Sequence, residues 1–136
     1  MPTDIETLGR TLKQVQHRQH RTLDAALAEI GTTLVQWDAL RAIGNEPGAS
    51  AHDLALATFQ TDQSFGTLAN RLEAQALIRR EPGEGRRIAH HLTPTGERLL
   101  TTANAIAARI RAELYAPLSA PDRRTLQRLL NRLLAG

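Results

Sequence analysis

The sequence has no cysteine. Disulfides, thiolate metal sites and cysteine redox switches are thereby excluded. No apolar run approaches the ~20 residues that a membrane span needs. The first ten residues lack the basic-then-apolar layout of a secretory signal, so a cytoplasmic protein without membrane contact is expected. Charge of one sign is also in short supply: 17 Lys plus Arg face 14 Asp plus Glu, a net charge of +3. Lysine itself is nearly missing. Lys13 is the sole lysine and every other cation is Arg, whose planar fork suits phosphates and groove edges. An Arg- and Ala-rich chain also reflects genomic base composition, so where the arginines sit matters more than how many there are. Nothing sets a nucleophile, a base and an oxyanion donor together. An enzyme is not expected, and neither is a cofactor.

What is present is 136 residues, enough for one domain with a core, and a series of helix-start signals. Thr3 with Glu6, Thr33 with Gln36, Ser50 with Asp53 and Ser119 with Asp122 fit the capping-box spacing. Thr93 before Pro94 is a fifth start, because proline is tolerated at the first helical position. The spacing of Ile5, Leu8, Leu12, Val15, Leu23 and Leu27 predicts a first helix over 4–29, stopped by Gly31. Its stripe is interrupted by the polar run 16–21. A second helix is predicted over 34–43, then a turn at 45–48.

Two shorter helices follow, over 51–57 and 62–75, joined by a tight turn at 58–60. That is the helix-turn-helix pattern. The period then changes. Residues 77–81 and 88–92 are too short for helices and flank Pro82, Gly83, Glu84 and Gly85, which predicts a β-hairpin. Its tip and shoulders carry Arg79, Arg80, Arg86 and Arg87. Two further helices, over 95–114 and 121–134, close the chain. The fold class is mainly α, with a small β-hairpin wing.

Residues 33–93 can make a compact DNA-binding lobe by themselves. The terminal segments, 1–31 and 95–136, carry apolar stripes that so small a unit does not cover, Leu126, Leu129, Leu130 and Leu133 among them. The same stripes on a second copy, related by two-fold symmetry, would cover them. These segments are therefore expected to be dimerisation helices. An intramolecular bundle is the alternative.

Order and residues together resemble the MarR family of winged helix-turn-helix regulators, over nearly the whole chain. Gln36-Trp37-Asp38-Ala39-Leu40 is similar to the family's second-helix motif, and Leu54-Ala55, Ser64 and Arg71-Leu72-Glu73 to its helix-turn-helix. The most specific matches are Leu77-Ile78-Arg79-Arg80, Glu84-Gly85-Arg86-Arg87 and Leu92-Thr93-Pro94-Thr95-Gly96, which resemble its wing and exit. The resemblance implies a homodimer on a palindromic operator in double-stranded DNA. A recognition helix enters the major groove and a wing the minor groove. It also implies repression relieved by a small aromatic or phenolic effector. Three positions depart from the family's pattern. Glu84 replaces an Asp that orients the wing arginine. Ala76 replaces a glycine at a left-handed position, which costs Ala roughly 1 kcal/mol. Gly66 and Thr67 stand where a hydroxyl residue and a long basic one are usual, so the helix offers less side chain to base edges.

The candidate DNA contacts are Gln63, Ser64, Gly66, Thr67, Asn70 and Arg71 on the recognition helix, whose N-terminal part meets the bases. Arg86 is the candidate for the minor groove, with Glu84 orienting it and Arg87 supporting the strand or a phosphate. Gly66 either permits close approach to DNA or is a mild helix defect. Trp37 is first a core residue. With His17, Arg18, His20, Arg21 and Arg41 it also marks a candidate effector site, where the polar run breaks the first helix's stripe. His17 and His20 lie one turn apart but are too few for a metal site. His90 and His91 are neighbours on a strand and face opposite ways. Two rivals remain at this stage: a winged-helix protein-interaction module without specific DNA binding, and a metal-dependent regulator.

Overall fold

A threonine or serine hydroxyl starts every helix in the computed structural model, which describes residues 1–136. Thr3 caps α1 (Asp4–Ala28), Thr33 caps α2 (Leu34–Asn45) and Ser50 caps α3 (Ala51–Ala57). Thr61 caps α4 (Asp62–Ala74), Thr93 caps α5 (Pro94–Tyr115) and Ser119 caps α6 (Ala120–Ala135). Each hydroxyl accepts from a backbone N–H that the helix leaves free, worth about 1 kcal/mol apiece.

Complete capping boxes form at Thr3 with Glu6 and at Ser119 with Asp122. The other two expected boxes are half-formed, because the return partner is engaged elsewhere. The Gln36 side chain is buried and accepts from the Thr32 hydroxyl at 3.0 Å. The Asp53 carboxylate faces Arg87 instead of its own cap.

α2, α3, α4 and the hairpin enclose the main core, in which Ile43, Leu54, Phe65, Leu72 and Ile78 are fully buried. The hairpin pairs β1 (Ile78–Pro82) with β2 (Ile88–Leu92), antiparallel, with Arg80 opposite His90. β1 starts one residue later than predicted. Leu77 is used in the turn out of α4, where Ala76 has φ 59°, the left-handed backbone that its place in the sequence predicted. Gly48 and Ala49 bond to both backbone groups of His90, so the α2–α3 turn anchors the hairpin's inner strand.

His90 itself is buried. Its Nδ1–H donates to the Ala49 carbonyl at 2.9 Å and its ring meets the Phe65 ring edge-on. His91 turns the other way, toward Glu81. Burial holds the His90 pKa below its usual 6.5.

A second cluster, Leu23, Leu27, Trp37, Ala103, Ala107 and Ile110, joins α1, α2 and α5. Gly96 explains why α5 can leave the hairpin so closely: a Cβ there would overlap the Leu77 carbonyl. The two ends of the chain differ from all this. α6 contributes no buried residue, and Ile5, Leu8, Leu12 and Val15 of α1 are exposed. No helix is long and apolar enough to cross a membrane.

Candidate nucleic-acid interface

α4 divides its side chains cleanly. Phe65, Leu68, Ala69 and Leu72 are buried, while Gln63, Ser64, Thr67, Asn70 and Arg71 are exposed. The second set is the face the sequence assigned to DNA. Short local bonds restrain it: the Ser64 hydroxyl donates to the Gln60 side chain at 3.2 Å and the Thr67 hydroxyl to the Gln63 carbonyl at 3.1 Å. A Cβ at Gly66 would meet nothing within 4 Å. Its absence is therefore no packing requirement and leaves the helix backbone open to close approach. Asn70 is different from its neighbours. Its Oδ1 accepts from Arg80 at 2.8 Å, so it ties the recognition helix to the base of the wing.

The wing turns on Gly85, at φ 63°, and is closed by Gly83 N–H donating to the Arg87 carbonyl at 2.8 Å. Its arginines have unequal fates. Arg79 pairs with Glu81 at 2.6 Å, Arg80 with Glu73 at 2.8 Å and Arg87 with Asp53 at 2.8 Å. Arg86, exposed at the tip, has no acidic partner. Glu84, expected to orient it, forms no hydrogen bond or ion pair with it. The hydrogen bond from Arg80 holds the Glu73 carboxyl below its usual 4.5, against a smaller opposing effect of burial.

The lobe holds more acids than cations. Residues 33–93 contain six arginines and seven acids, which leaves the stretch at −1. Residues 94–136, with seven arginines and three acids, hold the chain's cationic excess. The lobe thus has no cationic excess of its own, and three of its four wing arginines face an acid.

The candidate effector residues are not gathered into one cavity. Trp37 is buried, and its Nε1–H donates to Asn104 at 2.9 Å. The guanidinium carbons of Arg41 and Arg111 lie 4.4 and 5.0 Å from its ring centre, a cation–π arrangement. His17, Arg18, His20 and Arg21 are exposed on α1. Arg41 lines a separate cleft of about 280 Å³ with Asp38, Asn45, Thr58 and Phe59.

Sequence reasoning missed three features. Asn104 and Arg111 on α5 meet Trp37 only through the fold, and no local motif marks them. Asp53 carries a capping signal in the sequence, and nothing local marks its bond to Arg87. Phe59, in the helix-turn-helix turn, has φ 58° and is 96% exposed; a bulky residue in the left-handed region has no sequence signature, since glycine is the residue normally found there.

A family model described as MarR family matches residues 30–88. The HTH-type transcriptional repressor Rv2887 of Mycobacterium tuberculosis is 31% identical over 132 residues, 96% of this chain and 95% of that protein. The crystal structure of Rv2887 in complex with p-aminosalicylic acid superposes with a TM-score of 0.75, covering 93% of this chain and 97% of the other at 31% identity. The crystal structure of Rv2887 in complex with DNA gives 0.76, covering 93% and 96% at 29% identity.

Proposed function

The chain belongs to the MarR family of transcriptional regulators, and on that premise we propose that it is a cytoplasmic, homodimeric repressor that grips a palindromic operator and responds to a small aromatic acid. Segments 1–31 and 95–136 supply the dimer interface and 33–93 the DNA-binding lobe. α4 enters the major groove, with Gln63, Ser64 and Thr67 nearest the bases, Gly66 allowing close approach and Arg71 on the phosphates. Asn70 serves by holding the wing base.

The observation that carries this reading is Arg86. Three of the four wing arginines are neutralised by acids of the same chain, and the one at the tip is left over. An unpaired arginine on a projecting turn suits a narrow, electronegative minor groove. Glu84 lies two residues before it and makes no bond to it in the free chain, so its orienting role belongs to the DNA-bound state.

A relative 31% identical to this chain binds p-aminosalicylic acid, which supports an aromatic carboxylate as effector. Arg41, stacked on Trp37, is one cation available to its carboxylate, Arg18 and Arg21 with His17 and His20 on the exposed face of α1 are the other candidates, and Trp37 is the natural optical reporter. The test is a binding titration with duplex DNA from upstream of the chain's own gene, with and without p-aminosalicylate. Tight, saturable binding that the acid weakens is expected. Equal binding to unrelated duplex DNA contradicts the operator assignment. Unchanged binding and unchanged Trp37 fluorescence contradict the effector assignment.

A further inference from the structure

Between the wing tip and the α2–α3 turn runs an open cleft of about 210 Å³, lined by Glu46, Pro47, Gly48, Gly83, Glu84 and Arg87. Ala49 adds an apolar wall to this cleft, and the tip beyond it turns on Gly85 at φ 63°. Beyond the backbone bonds at His90, a side-chain ion pair ties the exit of the tip to α3: Asp53 Oδ2 accepts from Arg87 Nη2 at 2.8 Å. Arg87 is the residue where the tip rejoins β2. Its carbonyl accepts from Gly83 N–H and its own N–H donates to the Glu84 carbonyl. Fixing its guanidinium fixes the turn that presents Arg86 next door.

We propose that Asp53 is a positioning residue for minor-groove recognition, holding the wing through Arg87 so that Arg86 is aimed, while touching no DNA itself. This rests on the reading of Arg86 given above.

Two physical points separate this role from the obvious alternatives. Both partners are substantially exposed, and exposed ion pairs contribute little to stability, so the pair is not there to hold the fold. An acid on the DNA-facing lobe repels phosphates, so it is not there for affinity either. Its carboxylate has also given up the reciprocal cap of α3, although Ser50 still accepts from Asp53 N–H at 3.2 Å.

The experiment compares the parent protein with Asp53→Asn, Arg87→Gln, the double variant and Asp53→Glu, each checked for folding by circular dichroism. Two affinities are measured for each: preference for an operator with A·T-rich over G·C-rich flanks, and binding to non-specific duplex. Asp53→Asn should cut the flank preference about 3–10-fold while non-specific binding stays level or rises. Arg87→Gln should cut the preference similarly, and the double variant no further, since the two residues act as one unit. Asp53→Glu should recover most of the preference. A preference within twofold of the parent in Asp53→Asn, or losses that multiply in the double variant, overturns the proposal. Arg86→Ala in the same assay separates the two levels. If it leaves the preference intact, the wing-reading premise fails. If it abolishes the preference while Asp53→Asn does not, only the role of Asp53 fails.

Discussion

Phe65 on α4 and Leu129 on α6 are both apolar residues on amphipathic helices, yet Phe65 is fully buried and Leu129 is 44% exposed. The difference holds for their whole regions. The lobe of α2, α3, α4 and the hairpin buries its apolar residues around one core, completed by Leu99 and Leu100 of α5, and pairs most of its own charges. α6 buries nothing, and the first half of α1 is likewise uncovered. The terminal helices spread apolar stripes over a surface that only another body can cover, and the cheapest is a second copy.

The comparison can be broken at either end. Phe65→Ala should cost about 3–5 kcal/mol of unfolding free energy, measured by urea titration, and by the same amount at any protein concentration. A loss under 1 kcal/mol would mean that the lobe's core is not where its stability lies. Leu129→Glu combined with Leu133→Glu should do the reverse. Helical signal and lobe stability should survive, while self-association weakens by about 100-fold or more, near 2.8 kcal/mol, in sedimentation equilibrium. A parent chain that sediments as a monomer contradicts the dimer outright.

Acid sharpens the contrast, because the lobe holds both perturbed groups. His90 is kept neutral by burial, with Arg80 and Glu73 as its charged neighbours. In the unfolded chain it takes a proton near its usual 6.5. The unfolded state therefore binds more protons below that pH, and stability falls as pH drops from 6.5 toward the lowered folded value. Glu73 adds a second loss further down. Its ion pair with Arg80 stabilises fully above 4.5 and is lost as pH falls through its lowered value. Melting temperature should decline between pH 7 and pH 5.5, and His90→Asn should flatten that decline. An equally steep decline in the variant would assign the proton to another group. The smallest effect is expected at Ala76, whose φ of 59° suits glycine. Ala76→Gly should raise stability by up to about 1 kcal/mol, and a loss would show that the Ala methyl packs against something the backbone strain has concealed.

Much of this architecture was legible in the sequence, because its signals are local. Hydroxyl caps, apolar spacing and the Pro-Gly-Glu-Gly turn placed six helices and a hairpin to within a residue or two. The positive φ at Ala76 was legible by comparison with a glycine usually found there. What escaped were choices between competing partners. Gln36 and Asp53 each had a cap within reach and took another bond, to Thr32 and Arg87. Asn70, on the exposed face expected to meet DNA, also accepts from Arg80, ten residues further along the chain. The effector residues were grouped by position along α1 and α2. The fold keeps Trp37 inside, against Asn104 and Arg111, and leaves the α1 group on the surface. Such outcomes depend on which partners the tertiary fold brings within reach, and no local spacing encodes them.

On the proposed reading one arginine, left free by the pairing of the other three, enters the minor groove. This reading is tested most directly by anisotropy titration of operator DNA with the parent protein, Arg86→Ala and Arg87→Ala across several salt concentrations, each variant confirmed as folded. Arg86→Ala should bind more weakly by about 1–3 kcal/mol and lose its preference for A·T-rich flanks. Arg87→Ala should flatten the salt slope by less than the one unit expected of a direct phosphate contact, because Asp53 already neutralises it. If Arg86→Ala binds the operator as tightly as the parent, with the same flank preference, the wing is not the reader and the account is wrong.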